Sequence, residues 1–299
     1  MRTNFELIGT LIGHKGPIYN LCADEHGNLY SSGSDKLIAK WSLTDLKNIS
    51  GNIKLDYNAY SLCYSHSHLW IGSITGNIHV IDVIQKKELK NFAFHRKSVY
   101  QCINIPAKNL IATSDAEGYI AFWDSENLKN LAFIKVHGDK IRSIAYDTDR
   151  EWLLCGFSNG VIEAINVNTL NRESLINPTS QSDSIFSMLK MSTKDVWLVA
   201  GKNGHLGCFH PLKPIKDVNI PAHNFGIYSL IELQDGNLIV SASRDKTIKI
   251  WNSNSLEVVQ KIGVKENGHS RSVNHLLKLS EDSFASAGDD GAIKVWRLG

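Results

Sequence analysis

Apolar and polar side chains alternate along this chain in short runs separated by turn-forming residues. The stretch Thr247-Ile248-Lys249-Ile250 alternates strictly and closes on Trp251, the period of a strand with one packed and one wetter face. Around it the pattern predicts four strands, Gly226 to Leu233, Leu238 to Ser243, Thr247 to Asn252 and Glu257 to Ile262, with Asp235-Gly236-Asn237 as a hairpin turn. The unit recurs from end to end. Tyr30-Ser31-Ser32-Gly33-Ser34-Asp35-Lys36-Leu37-Ile38-Ala39-Lys40-Trp41 aligns without a gap on Val240 to Trp251. Weaker copies close on Ile81, Trp123, Ile165, Phe209 and Trp296, about 40 to 45 residues apart, the period of a four-stranded blade.

A second marker, 27 or 28 positions before the closing residue, is His14, His95, His137, His223 and His269. Leu55 and Gln181 stand near that register in the second and fifth repeats, which also lack a closing Trp. The seventh repeat stops at Trp296-Arg297-Leu298-Gly299, one strand short, while Phe5 to Ile12 precedes His14 with the length and composition of a strand. Joining the two ends closes a ring and leaves no open edge. These residues carry a resemblance to the WD-repeat β-propeller family over essentially the whole chain. The resemblance implies an all-β fold: a seven-bladed propeller of four-stranded antiparallel blades, residues 1–299 as one domain, closed by the N-terminal strand.

His14, Ser31, Asp35 and Trp41 recur as His223, Ser241, Asp245, Trp251 and as His269, Ser286, Asp290, Trp296. A catalytic centre needs one supported nucleophile, so a Ser-His-Asp set repeated at blade period reads as a device each blade requires. In the family, the turn Asp orients His, His meets Ser or Thr, and the chain of hydrogen bonds ends on the Trp ring nitrogen. The third repeat carries His95, Thr113, Glu117 and Trp123, with Glu117 in the place of Asp. The fourth carries His137 with Cys155, Asn159 and Ile165. The second, fourth and fifth blades are therefore expected to rely on apolar packing and to open more easily.

Composition narrows the function only a little. With 42% hydrophobic residues the chain can bury a core, and a net charge of +2 excludes the strong field of a general nucleic-acid binder. Cys22, Cys63, Cys102, Cys155 and Cys208 form no C-x-x-C pair, which points to a reducing compartment and no zinc site. Residues 1–7 lack a signal-peptide core and no run reaches the roughly 18 apolar residues of a membrane span, so a soluble cytoplasmic chain without membrane attachment is expected. Gly27, Gly76, Gly118, Gly160, Gly204, Gly236 and Gly291 read as turn positions rather than a phosphate loop. His66-Ser67-His68 has no third ligand nearby and reads as a solvated turn. No metal or cofactor is expected.

By the same resemblance, the loops before the inner strands and the turns between second and third strands share one face of the disc, its top. The residue just inside each inner strand is Tyr19, Tyr60, Tyr100, Arg142, Phe186, Tyr228 and Asn274. Tyr and Arg are enriched at binding hot spots, and strand propensity does not explain their concentration at one register. Lys202 and Arg244 are expected around this ring with Ser34, Ile74, Ala116, Ser158 and Asp289. Top-face Lys15, Lys36, Arg96, Lys97, Lys140, Arg142, Lys202, Arg244, Lys246 and Arg271 outweigh Asp56, Asp139, Asp183 and Asp289. The opposite face collects acids, among them Asp24, Glu25, Asp147, Asp149, Asp195, Glu281 and Asp282. The sequence thus supports a non-catalytic scaffold whose top rim holds a protein or peptide with acidic or phosphorylated groups, as a monomer or within a hetero-complex. Two alternatives stand beside it: an enzyme using Asp115 or His275 at the channel mouth, and an RNA or ribonucleoprotein adaptor, ranked last because no recognition motif supports it.

Overall fold

The computed structural model describes residues 4–49, 51–178, 180–181, 183–216 and 218–299. Seven antiparallel sheets follow one another along the chain. Each begins with an inner strand at the axis and runs outward, and successive sheets meet through their inner strands: Ile18–Ala23, Ala59–Ser65, Val99–Ile105, Ile141–Asp147, Ile185–Lys190, Ile227–Leu233 and Val273–Ser280. We number these blades 1 to 7. In blade 6 the strands are Ile227–Leu233, Leu238–Ser243, Ile248–Asn252 and Val258–Ile262, within one residue of the alternation pattern at every end. Blade 1 departs from the plain form, because its outer strand is split into Lys47–Asn48 and Ile53–Lys54, both paired to Leu37–Ser42.

Blade 7 takes its outer strand from the start of the chain. Phe5–Ile12 pairs antiparallel with Ala292–Leu298, from Phe5 opposite Leu298 to Ile12 opposite Ala292. Buried Phe5 and Leu11 carry its apolar face into the neighbouring cores, so the ring is closed by sheet pairing and burial together. The seven predicted turn glycines all take a positive φ. At Gly118 an added Cβ would lie 2.2 Å from the His137 carbonyl oxygen, so a side chain is excluded there by contact as well as by φ +83°.

The core is divided into seven apolar clusters, each filled from two successive blades. Seam 5/6 contains Leu198, Leu206, Ile227, Leu230 and Trp251, and seam 7/1 contains Leu11, Ile18, Leu21, Trp41 and Ile293. The seven tryptophans are distributed one to a blade. Trp41, Trp123, Trp251 and Trp296 lie on third strands, whereas Trp70, Trp152 and Trp197 lie on second strands in the blades without a closing Trp. The bulk missing at Ile81, Ile165 and Phe209 is supplied from another position, which the repeat alignment alone does not show.

Candidate functional site

Among the described residues, four blades contain a complete buried relay. In blade 1 the Trp41 indole N–H donates to Ser31 Oγ (2.8 Å), Ser31 lies 2.7 Å from His14 Nε2, and His14 Nδ1 lies 2.9 Å from Asp35. The carboxylate can only accept and the indole can only donate, so the proton of His14 sits on Nδ1 and Ser31 donates to Nε2. Blades 6 and 7 repeat this within 0.1 Å through His223, Ser241, Asp245, Trp251 and His269, Ser286, Asp290, Trp296. Burial alone would raise the Asp245 and Asp290 carboxyls, but hydrogen bonds from His223 and His269 overcome it and hold both low, Asp290 at about 2. Burial lowers the His223 imidazole, against the pull of Asp245.

Blade 3 corrects the expectation for Glu117. His95 and Thr113 sit 2.8 Å apart and Trp123 donates to Thr113, but the carboxylate on His95 Nδ1 is Asp115, at 2.8 Å. Asp115 occupies the register of Gly33 and Gly288, where an added Cβ would lie 2.9 and 3.0 Å from the histidine Nδ1. The Asp115 carboxylate therefore reaches the imidazole directly, and Glu117 gives Asp115 its backbone N–H. Asp115 is fully buried and committed to His95, which removes it as a channel-mouth acid. In blade 4, His137 folds back toward Asp139 at 3.4 Å and Asn159 also binds Asp139, leaving no relay through Cys155.

At the axis every inner strand breaks register at the same place. The interruptions fall between Ile18/Asn20, Ala59/Ser61, Val99/Gln101, Ile141/Ser143, Ile185/Ser187, Ile227/Ser229 and Val273/His275. The extra residues are Tyr19, Tyr60, Tyr100, Arg142, Phe186, Tyr228 and Asn274. A bulge places an added residue without a ladder partner and re-aims its side chain. Here all seven turn into the mouth of the channel and line one pocket of about 420 Å³. They form a belt in blade order. Tyr19 meets Tyr60 edge-on at 5.1 Å, Tyr60 stacks on Tyr100 at 6.2 Å, and Phe186 packs on Tyr228 at 5.3 Å. Between them the Arg142 guanidinium lies 4.1 Å from the Tyr100 ring and 5.1 Å from the Phe186 ring. Among the described residues it makes no salt bridge.

The remaining predicted rim residues are placed differently. The Asn274 amide donates to Ile18 O across seam 7/1 and to Asp289 (2.8 and 2.7 Å), so it acts as a stitch between the last and first blades. Lys202 pairs with Asp183 at 2.7 Å and Arg244 lies over Phe225; neither lines the pocket. The basic excess expected of the top face shrinks, because the turns that carry Asp35, Glu117, Asp245 and Asp290 share that face.

Apart from His275, the residues that follow the bulges escaped the sequence reading. Ser61, Gln101, Ser143, Ser187 and Ser229 each bond the inner-strand backbone of the next blade. At the matching positions Asn20 and His275 line the pocket. His275 Nδ1 is shut off from solvent without a partner, and burial brings its imidazole down to about 4. The signal that could have found them is a triplet repeated seven times: a buried aliphatic, the ring residue, then a polar one.

A closed ring of seven four-stranded blades with indole-to-carboxylate relays is a propeller of the WD type. The family model "WD domain, G-beta repeat" matches residues 5–42, 128–163, 213–252 and 260–297, together about half of the chain, and the chain belongs to that family. Relatives include striatin-3 of Rattus norvegicus, 24% identical over 97% of this chain and 34% of that protein. WD repeat-containing protein JIP5 of Cryptococcus neoformans is 21% identical over 74% of this chain and 60% of its own length. The WDS homolog of Arabidopsis thaliana is 26% identical over 62% and 35% respectively. The chain therefore spans only about a third of striatin-3 and three fifths of JIP5.

Proposed function

We propose that this propeller is a non-catalytic interaction module that holds an acidic or phosphorylated segment of a partner protein at the top mouth of its channel. One observation carries the reading: Arg142 is held between Tyr100 and Phe186 and pairs with no carboxylate among the described residues. Stacking fixes the guanidinium while leaving its in-plane donors free for a carboxylate or phosphate. The tyrosines on either side offer apolar area with a polar tip. The enzyme alternative has little to draw on, since Asp115 is engaged by His95, His275 Nδ1 has no hydrogen-bond partner among the described residues, and Asp289 at the mouth accepts from Asn274. Replacing Tyr100 and Arg142 together by alanine is expected to abolish partner capture in affinity purification and to leave the melting temperature within a degree or two. Capture that survives the double substitution would remove the mouth as the binding site.

A further inference from the structure

Three of the five cysteines lie on successive inner strands: Cys22 in blade 1, Cys63 in blade 2 and Cys102 in blade 3. All three are buried, below Tyr19, Tyr60 and Tyr100 on the same strands. The Cys63 and Cys102 sulfurs approach to 2.8 Å across seam 2/3, although the residues are 39 positions apart. That is closer than two sulfurs rest in ordinary van der Waals contact. The surrounding core of Trp70, Val99, Ile111 and Trp123 packs the two strands together.

We propose that Cys63 and Cys102 are a covalent modification site, an intramolecular disulfide that forms across seam 2/3 when the protein meets a peroxide. The peroxide oxidises one thiolate to a sulfenic acid; its O–O bond breaks and hydroxide leaves, taking up a proton to become water. The second thiol then displaces the sulfenic hydroxyl, forming S–S and releasing a second water. Hydrogen peroxide is the oxidant, and two electrons leave the thiol pair. Burial raises the Cys63 thiol above its ordinary range, with a further rise from Cys102 beside it, so the first step waits on openings of the seam and is slower than at an exposed thiol. Once formed, the bond ties blades 2 and 3 at the axis, beneath Tyr60 and Tyr100, and closes a long loop of chain in the unfolded state.

The folded protein is incubated with hydrogen peroxide at 25 °C, quenched in N-ethylmaleimide under denaturing conditions and digested for mass spectrometry. The expected result is a linked peptide pair containing Cys63 and Cys102, two fewer alkylated thiols, and a melting temperature raised by several degrees that dithiothreitol returns to its starting value. Cys22→Ala keeps the link. Cys63→Ala and Cys102→Ala each abolish it, and either serves if the other fails to fold. A Cys22–Cys63 link, sulfinic acid on separate cysteines, or five alkylated thiols after treatment would each overturn the proposal.

Discussion

Blade 5 is joined to its two neighbours in different ways. At seam 5/6 the buried Trp251 is pinned by the relay through Ser241, His223 and Asp245, and every polar group in it has a partner. At seam 4/5 the aromatic bulk is Trp152, Trp197 and Phe209, and the Trp197 indole N–H is buried without a partner. Besides the Ser143 and Ser184 bonds across this seam, its charged ties lie on the opposite face. Asp147, wholly buried in blade 4, accepts from Arg150 at 2.8 Å and from Lys190 of blade 5 at 3.0 Å. Arg150 reaches on to Asp195, which His210 also contacts at 3.0 Å. One seam thus holds an indole-to-carboxylate relay inside the core, and the other adds an ion network at its rim to the Ser143 bond near the axis. A blade that loses its relay need not lose its partner, provided another cross-blade contact replaces the constraint.

The largest effect is expected at Asp147. Asp147→Ala removes the buried acceptor that Arg150 and Lys190 share and leaves them Asp195 and Asp149, so urea unfolding at pH 7 should show a loss of about 3 kcal/mol, toward the low end for breaking a buried pair because both cations keep some solvent and a second carboxylate. Burial would raise this carboxyl, but Lys190 and Arg150 hold it below its ordinary range. Its contribution is therefore present above about pH 4 and disappears as pH falls through the lowered native value. A loss under about 1 kcal/mol would make the rim network ornamental.

A smaller difference separates Ser241 from Cys155, which share one register in blades 6 and 4. Ser241→Ala leaves the His223 Nε2 and the Trp251 N–H unpartnered and should cost about 2–3 kcal/mol in the same unfolding experiment. Cys155→Ala breaks no relay and should cost about 1 kcal/mol. Equal losses would mean that the relay adds nothing beyond packing.

A third effect is a pH slope. Burial depresses the native His275 imidazole to about 4, so between pH 6.5 and 4 the unfolded chain binds the extra proton and stability falls as pH falls. By pH 5 the cost is about 2 kcal/mol. His275→Asn should flatten the decline between pH 7 and 5 without removing it, because His223 is shifted the same way. An unchanged slope would place the titration elsewhere.

What could be read from the chain was what each repeat states locally. The spacing of Trp41, Trp123, Trp251 and Trp296, the turn glycines and the unpaired Phe5–Ile12 segment all declare the ring. The register of Tyr19 through Asn274 marks the channel mouth, although nothing in one repeat reveals that a bulge turns these side chains inward. Contacts between blades were hidden, because they join residues some 40 positions apart with no motif: Ser61 to Val99, Asp147 to Lys190, Cys63 to Cys102. Glu117 shows a subtler limit. It holds the aligned position, yet Asp115 two residues earlier reaches the imidazole first, from a place where the other relay blades have glycine or serine.

The most direct test compares two strands that burial alone would treat alike. Leu238–Ser243 of blade 6 and Trp152–Phe157 of blade 4 are buried at every residue, but only the first belongs to a relay. Native-state hydrogen exchange at pH 7, followed by mass spectrometry, should find the amides of Leu238–Ser243 protected longer than those of Trp152–Phe157. Equal protection, or the reverse order, would contradict the claim that the relay sets how firmly a blade is held.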